Sequence, residues 1–445
     1  LFVAALLAIA AGCASDDDDA QSANTPKKDA GADRGGLPGH GGRRFEVDGQ
    51  VLELDEAGRP IPADASSAPA AMQDAGARAG GDASTPPQPT FDVPDDPGAR
   101  GPWAVGVRTL QVDLGAGKLM PAEVWYPAEA QSEAGHDKVV YDMIDVMPPE
   151  VRDVIGPEDK PLAFGCDCYR DLPIDGEHGP YPVAIVVHDW GGGRIEAAHI
   201  ASHWASRGFI AIAADHPRLL LSDWWALVGE GCSGSTIGED LSRTRDVPAE
   251  LASVRDGAGD WAFAAAHADL TRVAVAGRFL GAEFAAAMSG TAGVRLIMLW
   301  GSPLVPKIAG DLAEVVYVTG KEPSVYTDSF ATVKSGFDKT SQAIKPAVLV
   351  GITGATQTPT PFCDARTPSD LDGAHLQSKY DLCKVDLTDL IGPPDCSLGF
   401  VSQEQADAIF AFVTTAALEE ALRGADPSAV WRGFDPTWGE LIEAR

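Results

Sequence analysis

Residues 273–285 read Val-Ala-Val-Ala-Gly-Arg-Phe-Leu-Gly-Ala-Glu-Phe-Ala, and the rest of the chain is organised around them. A short apolar run predicts a buried strand, and the Ala-rich stretch after Gly281 predicts a helix. Between the two, Gly277-Arg278-Phe279-Leu280-Gly281 reads as one sharp strand-to-helix turn with a glycine on either side. Phe279 stands at its centre. A benzyl group can neither attack a carbonyl carbon nor be activated by a base. The turn therefore carries a strong fold signal and no nucleophile.

Working outward, short apolar runs bounded by turn residues alternate with helical stretches. Strands are predicted at 183–188, 209–214, 272–276, 295–300, 314–319 and 347–352, and helices at 195–207, 247–266, 282–289 and 403–423. Such alternation predicts an α/β class, a mostly parallel sheet with helices on both faces. Residues 108–114 and 122–125 read as antiparallel strands that begin the sheet. Ligand sites in such sheets lie at the carboxyl ends of the strands.

Over about residues 101–424 the chain resembles the α/β-hydrolase superfamily, specifically bacterial relatives of platelet-activating-factor acetylhydrolases and polyester-cleaving lipases. The resemblance rests on the turn and on several segments in order. These are the runs within 103–128, Cys168-Tyr169-Arg170-Asp171 leading to Gly179-Pro180-Tyr181-Pro182-Val183, and His203 to Phe209 continuing to Asp215-His216-Pro217. It implies an α/β-hydrolase fold and makes the turn a nucleophile elbow, G-x-S-x-G, with Phe279 in the serine position. It implies that the N–H groups of Trp190 and Leu280 form an oxyanion hole. Asp189 replaces the family's glycine there, and an anion beside such a hole opposes the charge it should stabilise. The acid position falls on Pro323, with Glu322 one residue before it. The base position falls on Gln357, which has no titratable nitrogen. In a rival register, Gly373-Ala374-His375-Leu376 running on to Asp381-Leu382-Cys383 makes His375 the base, still with no serine to deprotonate.

Two rescues of the chemistry suggest themselves. A nucleophile relocated to Ser289 or Ser302 is one. A metal held by His188, Asp189, Asp215 and His216 is the other, and it is opposed by the way adjacent strand residues point to opposite faces. No metal or cofactor is expected. A residue at the elbow needs a positive φ, which for a bulky side chain costs on the order of 1–3 kcal/mol. Without catalysis to require it, the turn is expected either to relax or to bury the Phe279 ring in the old pocket. The reading is a catalytically inert relative, a pseudoenzyme, that binds a small ester or lipid-like ligand or an unidentified protein partner. The alternative is an active carboxylic-ester or lipid hydrolase with a relocated nucleophile.

Composition adds a setting. The net charge of −31, from 65 acidic against 34 basic residues, argues against nucleic-acid binding, which needs a positive footprint. Residues 1–11 form an apolar run too short to span a bilayer and matching a secretory signal. Ala10-Ala11-Gly12-Cys13 resembles a lipobox, so residues 1–13 are expected to be a signal with Cys13 lipidated, anchoring an exported protein in a bacterial cell envelope. Residues 14–98, rich in Ala, Gly, Pro and Asp, are expected to be a disordered linker, interrupted by a hairpin with its turn at Asp48-Gly49. The hydrolase-fold domain is assigned to 99–425 and a C-terminal extension to 426–445. Besides Cys13 there are Cys166, Cys168, Cys232, Cys363, Cys383 and Cys396, an even number that suggests disulfides in an exported chain. Cys383 is expected to join Cys396, and Cys166 or Cys168 to reach Cys232.

Overall fold

Strand side chains alternate between two apolar layers, and this fixes the architecture. Every residue of 181–187 is buried. Val183, Ile185 and Val187 pack in one cluster, Ala184 and Val186 in another. Residues 273–276 divide in the same way, Val273 and Val275 from Ala274 and Ala276. A strand apolar on both faces needs a helix layer on each side.

The computed structural model describes residues 92–142, 163–189, 191–220, 246–307, 312–322, 329–355 and 401–445, a few isolated positions, and the backbone of two strands near residue 50. Those two, β1 (Arg44–Val47) and β2 (Gln50–Glu53), pair antiparallel in the register the Asp48-Gly49 turn predicts, within a unit separate from the rest of the chain. In the larger unit follow β3 (Ala104–Gly115), β4 (Lys118–Ala128), β5 (Val140–Asp142), β6 (Ala163–Gly165), β7 (Tyr169–Arg170), β8 (Tyr181–Val187), β9 (Ile210–Ala214), β10 (Ala268–Arg278), β11 (Val294–Trp300), β12 (Glu314–Gly320), β13 (Ala347–Ile352) and β14 (Gly439–Ala444). Ten of them form one sheet in the order β14-β13-β12-β11-β10-β8-β9-β4-β3-β7. Its centre, from β9 to β13, is parallel, and β3, β4 and β14 join by antiparallel pairings.

Helices α1 (Ala198–Ser206), α2 (Asp246–Asp256), α3 (Ala262–Ala265), α4 (Gly281–Ala287), α5 (Phe330–Thr340), α6 (Gln403–Arg423) and α7 (Pro427–Val430) cover the sheet. The first layer takes Ile200 and Trp204 from α1 and Ile409, Phe410 and Val413 from α6. The second takes Val247 and Val254 from α2, Phe284 from α4 and Val333 and Phe337 from α5. Helix α6 is bounded by its own sequence. Ser402 accepts a hydrogen bond from the Gln405 N–H at one end, and Gly424 turns left-handed at the other, with φ 68°. The mostly parallel sheet, its two helix layers and the strand–turn–helix at β10 and α4 are those of an α/β-hydrolase fold.

Several boundaries differ from the sequence reading. The helix expected over 247–266 is broken, because Gly257 and Gly259 adopt φ of 59° and 57° between α2 and α3. The segment set apart as a C-terminal extension supplies α7 and then β14, which pairs with β13 along its whole length. Residues 92–98, expected as the end of the linker, are held on the domain by Arg207. Its side chain is 2% exposed and donates to the carbonyls of Pro94, Asp96 and Ala99 at 2.8–2.9 Å. Its charge faces Glu419 at 3.4 Å, and Glu419 is shared with Arg423. Cys166 and Cys168 are bonded to each other rather than to Cys232. The Val139 N–H donates to Cys168 O and the Cys166 N–H donates to Val139 O, which brings the two Cα atoms within 5.1 Å, inside disulfide range. Cys13, Cys232, Cys363, Cys383 and Cys396 lie outside the described residues.

Replacing Arg207 by Met leaves three carbonyls without their donor. We expect a loss of stability of about 2–4 kcal/mol in urea unfolding and faster proteolytic cutting near residues 92–100. Unchanged stability and cutting would show that this strap is held by other contacts.

Candidate functional site

The elbow is built by the absence of two side chains. A Cβ at Gly277 would lie 2.1 Å from the Gly281 carbonyl oxygen, and one at Gly281 would lie 2.4 Å from His188 O and 2.5 Å from Val187 O. Only glycine lets α4 start this close to the ends of β8 and β10. The apex is tied down by the Phe279 N–H donating to Trp300 O at 2.8 Å. Phe279 has φ 45°, so the left-handed elbow conformation persists with a bulky residue in it. The expected relaxation has not occurred. Phe279 is partly exposed and is not among the lining residues of the cavity beside the elbow.

The Leu280 amide, expected to form part of an oxyanion hole, faces a carboxyl group. Asp189 Oδ1 accepts a hydrogen bond from the Leu280 N–H at 3.3 Å. In a working hole that donor would face the carbonyl oxygen as it gains charge. Asp189 is placed there by the turn after β8, in which the Gly192 N–H donates to Asp189 O. The other amide expected in the hole, that of Trp190, lies outside the described residues.

His188 anchors the same turn from below. The His216 backbone N–H donates to its Nε2 at 3.0 Å, so the proton sits on Nδ1 and is donated to Asp189 O at 2.8 Å. Burial, with His216 beside it, lowers its pKa to about 3, so it is a neutral structural imidazole. The His216 ring is fully buried against Glu250, whose carboxyl is pushed well up by burial. Asp215 is paired with Arg194. The four residues weighed as metal ligands are thus used separately, and among the described residues no group of three or more His, Cys, Asp or Glu is placed to hold a metal.

The remaining triad positions are only partly in view. Glu322 is at the end of β12, but its carboxylate accepts from the Gly354 N–H at 3.2 Å and its own N–H donates to Ala355 O. It ties the ends of β12 and β13 together. Pro323, Gln357 and His375 lie outside the described residues. The two serines considered as substitutes are placed unfavourably. Ser289 donates to Lys307 O, and Ser302 is 4% exposed.

Three residues that sequence reasoning passed over converge beside the elbow. Arg278, the residue before Phe279, faces Glu196 at 3.8 Å, and Trp300 lines the same cavity. Glu196 follows the glycine run, and a Cβ at Gly192 would lie 2.5 Å from Glu196 Oε1, so a side chain there would displace the carboxyl group. Burial, offset in part by Arg278 and reinforced by Asp189, raises the Glu196 pKa to about 8. Arg278 and Trp300 could have been picked out as strand-end residues. Nothing in the sequence marks Glu196.

No protein-family model and no curated protein matches the chain. Among solved structures, the chain is similar to a ferulic acid esterase from Streptomyces cinnamoneus, with 16% identity over 77% of this chain and 96% of that chain and a TM-score of 0.45. Nothing about the chemistry of this chain follows from that likeness.

The raised Glu196 pKa gives a signed prediction. The folded state holds this proton more tightly than the unfolded chain, so the contribution is complete below the ordinary value of 4.5 and is lost as pH rises through about 8. Glu196→Gln should therefore gain on the wild type between pH 5 and 9, by on the order of a few kcal/mol, in denaturant unfolding across that range. Parallel curves would mean that the carboxyl is ionised and well solvated.

Proposed function

We propose that this protein is an exported, lipid-anchored α/β-hydrolase-fold protein that has lost ester hydrolysis and binds a small ester or lipid-like ligand through the inherited strand-end site. One observation carries the loss. The elbow keeps its left-handed turn and both close-packed glycines, yet it presents Phe279 in place of a nucleophile. The adjoining Leu280 N–H, which would stabilise an oxyanion, already serves Asp189. An active ester hydrolase would need a new nucleophile, and neither Ser289 nor Ser302 is free and exposed at the strand ends. Export and anchoring rest on the apolar leader and Cys13 alone.

Fluorophosphonate labelling tests the reading. The full-length protein is expected to remain unlabelled and to leave p-nitrophenyl esters intact. Phe279→Ser is expected to stay inactive, because Asp189 still occupies the hole. Stoichiometric labelling of any wild-type serine would overturn the proposal, and turnover by Phe279→Ser would show that base and hole had both survived. Membrane fractionation of the same cells, with Cys13→Ser as control, reads the anchor. The variant should move to the soluble fraction, and if it stays with the membrane the lipobox reading fails.

A further inference from the structure

Beside the elbow, between the turn after β8 and helix α6, lies a cavity of about 50 Å3. Its lining includes the apolar Val186, Ile200 and Phe410 together with Glu196, Arg278 and Trp300, whose ring packs edge-on against Phe410. Two polar atoms of these residues have no hydrogen-bond partner, Trp300 Nε1 and Glu196 Oε1. Both side chains are deeply buried, at 4% exposure for Trp300 and 7% for Glu196. An unsatisfied buried donor or acceptor is costly and occurs rarely without a reason. Here the unpaired donor and carboxyl oxygen belong to two residues that line one small cavity.

The charges decide what fits. Arg278 faces Glu196 at 3.8 Å, and because Glu196 is protonated at neutral pH the guanidinium charge stays in place. Asp407 also lines the cavity, so an anion entering it meets that carboxyl group. A cation meets Arg278. His188, on the same lining, is neutral. An uncharged group meets neither penalty. Room for one water is about 10–15 Å3 on this measure, so the space holds about three to five non-hydrogen atoms. Access is from outside the elbow. A groove of about 490 Å3, lined by His199, His203, Glu404 and Asp407 among others, shares His199 and Asp407 with the cavity.

We infer that this cavity binds the uncharged, oxygen-bearing end of a small molecule, a primary amide, ketone or alcohol on a short alkyl chain. The Trp300 indole N–H donates to its oxygen and the Glu196 carboxyl completes the pairing. The inference rests on the binding role proposed above and names the chemistry of the ligand. With its pKa at about 8, Glu196 is a carboxylic acid at neutral pH and can both donate and accept. Above that pH it becomes a carboxylate, loses its donor and repels the ligand's oxygen.

Ligand-observed NMR titration with four probes of matched size tests this: propionamide, 1-propanol, propionate and propylammonium. Propionamide and 1-propanol are expected to bind with Kd in the millimolar range, as befits so few atoms, and the two charged probes at least about ten-fold more weakly. Trp300→Phe, which keeps an aromatic ring and removes the N–H, should weaken propionamide at least about five-fold. Glu196→Gln should keep binding and abolish its decline above pH 8. Thermal unfolding of each variant confirms that it is folded. Equal or tighter binding of propionate or propylammonium would overturn the inference, as would an unaffected Trp300→Phe. Failure of every probe at about 100 mM would also overturn it and leave a cavity for water. Because labelling by fluorophosphonate is scored separately, a protein that is neither labelled nor bound by a probe loses this inference and keeps its inertness.

Discussion

Two backbone segments approach so closely at Gly277 and Gly281 that neither position has room for a Cβ. That contact sets the distance between α4 and the ends of β8 and β10. It also holds the residue between them in a left-handed conformation and aims the Leu280 N–H toward the turn after β8. The strain at Phe279, on the order of 1–3 kcal/mol, is maintained because the surrounding packing leaves no other path for the chain. The geometry of the turn is thus a property of glycine packing, and it is kept with a phenylalanine at its apex.

Once the apex is fixed, electrostatics accounts for the rest of the site. The exposed amide of Leu280 is the kind of donor that attracts an anion, and Asp189 supplies one from within the chain. A substrate carbonyl would have to displace a carboxylate already held in place, and any oxyanion formed would face its charge. Below this pair, burial keeps His188 neutral, and beside it burial keeps Glu196 protonated near neutral pH. Two titratable groups around the elbow are therefore held in their uncharged forms by the same cause, removal from water.

Much of this was legible in the chain because alternation and glycine placement are local signals. The strands from β8 to β13 and the elbow follow from runs of four to seven apolar residues and their punctuation. That Phe279, which offers no nucleophile, stands at the apex of the turn is read without any structure. What was not legible depends on contacts between distant residues. Arg207 binds residues 94–99 across more than a hundred positions, and β14 returns to pair with β13 after the long α6. The C-x-C bond forms because both cysteines turn back on Val139, which spacing alone does not reveal. The sequence places Asp189 near Leu280 in the turn after β8, and the hydrogen bond between its carboxyl and the Leu280 N–H needed the fold.

The Leu280 amide itself provides the most direct measurement. In the 15N-labelled protein, its proton and nitrogen shifts can be followed through an acid titration, in the wild type and in Asp189→Asn. If the carboxylate occupies the hole, the Leu280 proton moves as Asp189 is protonated, and the substitution removes that movement while leaving neighbouring amides of α4 in place. A Leu280 resonance that ignores both the acid and the substitution would contradict the account, because the hole would then be open to a ligand after all.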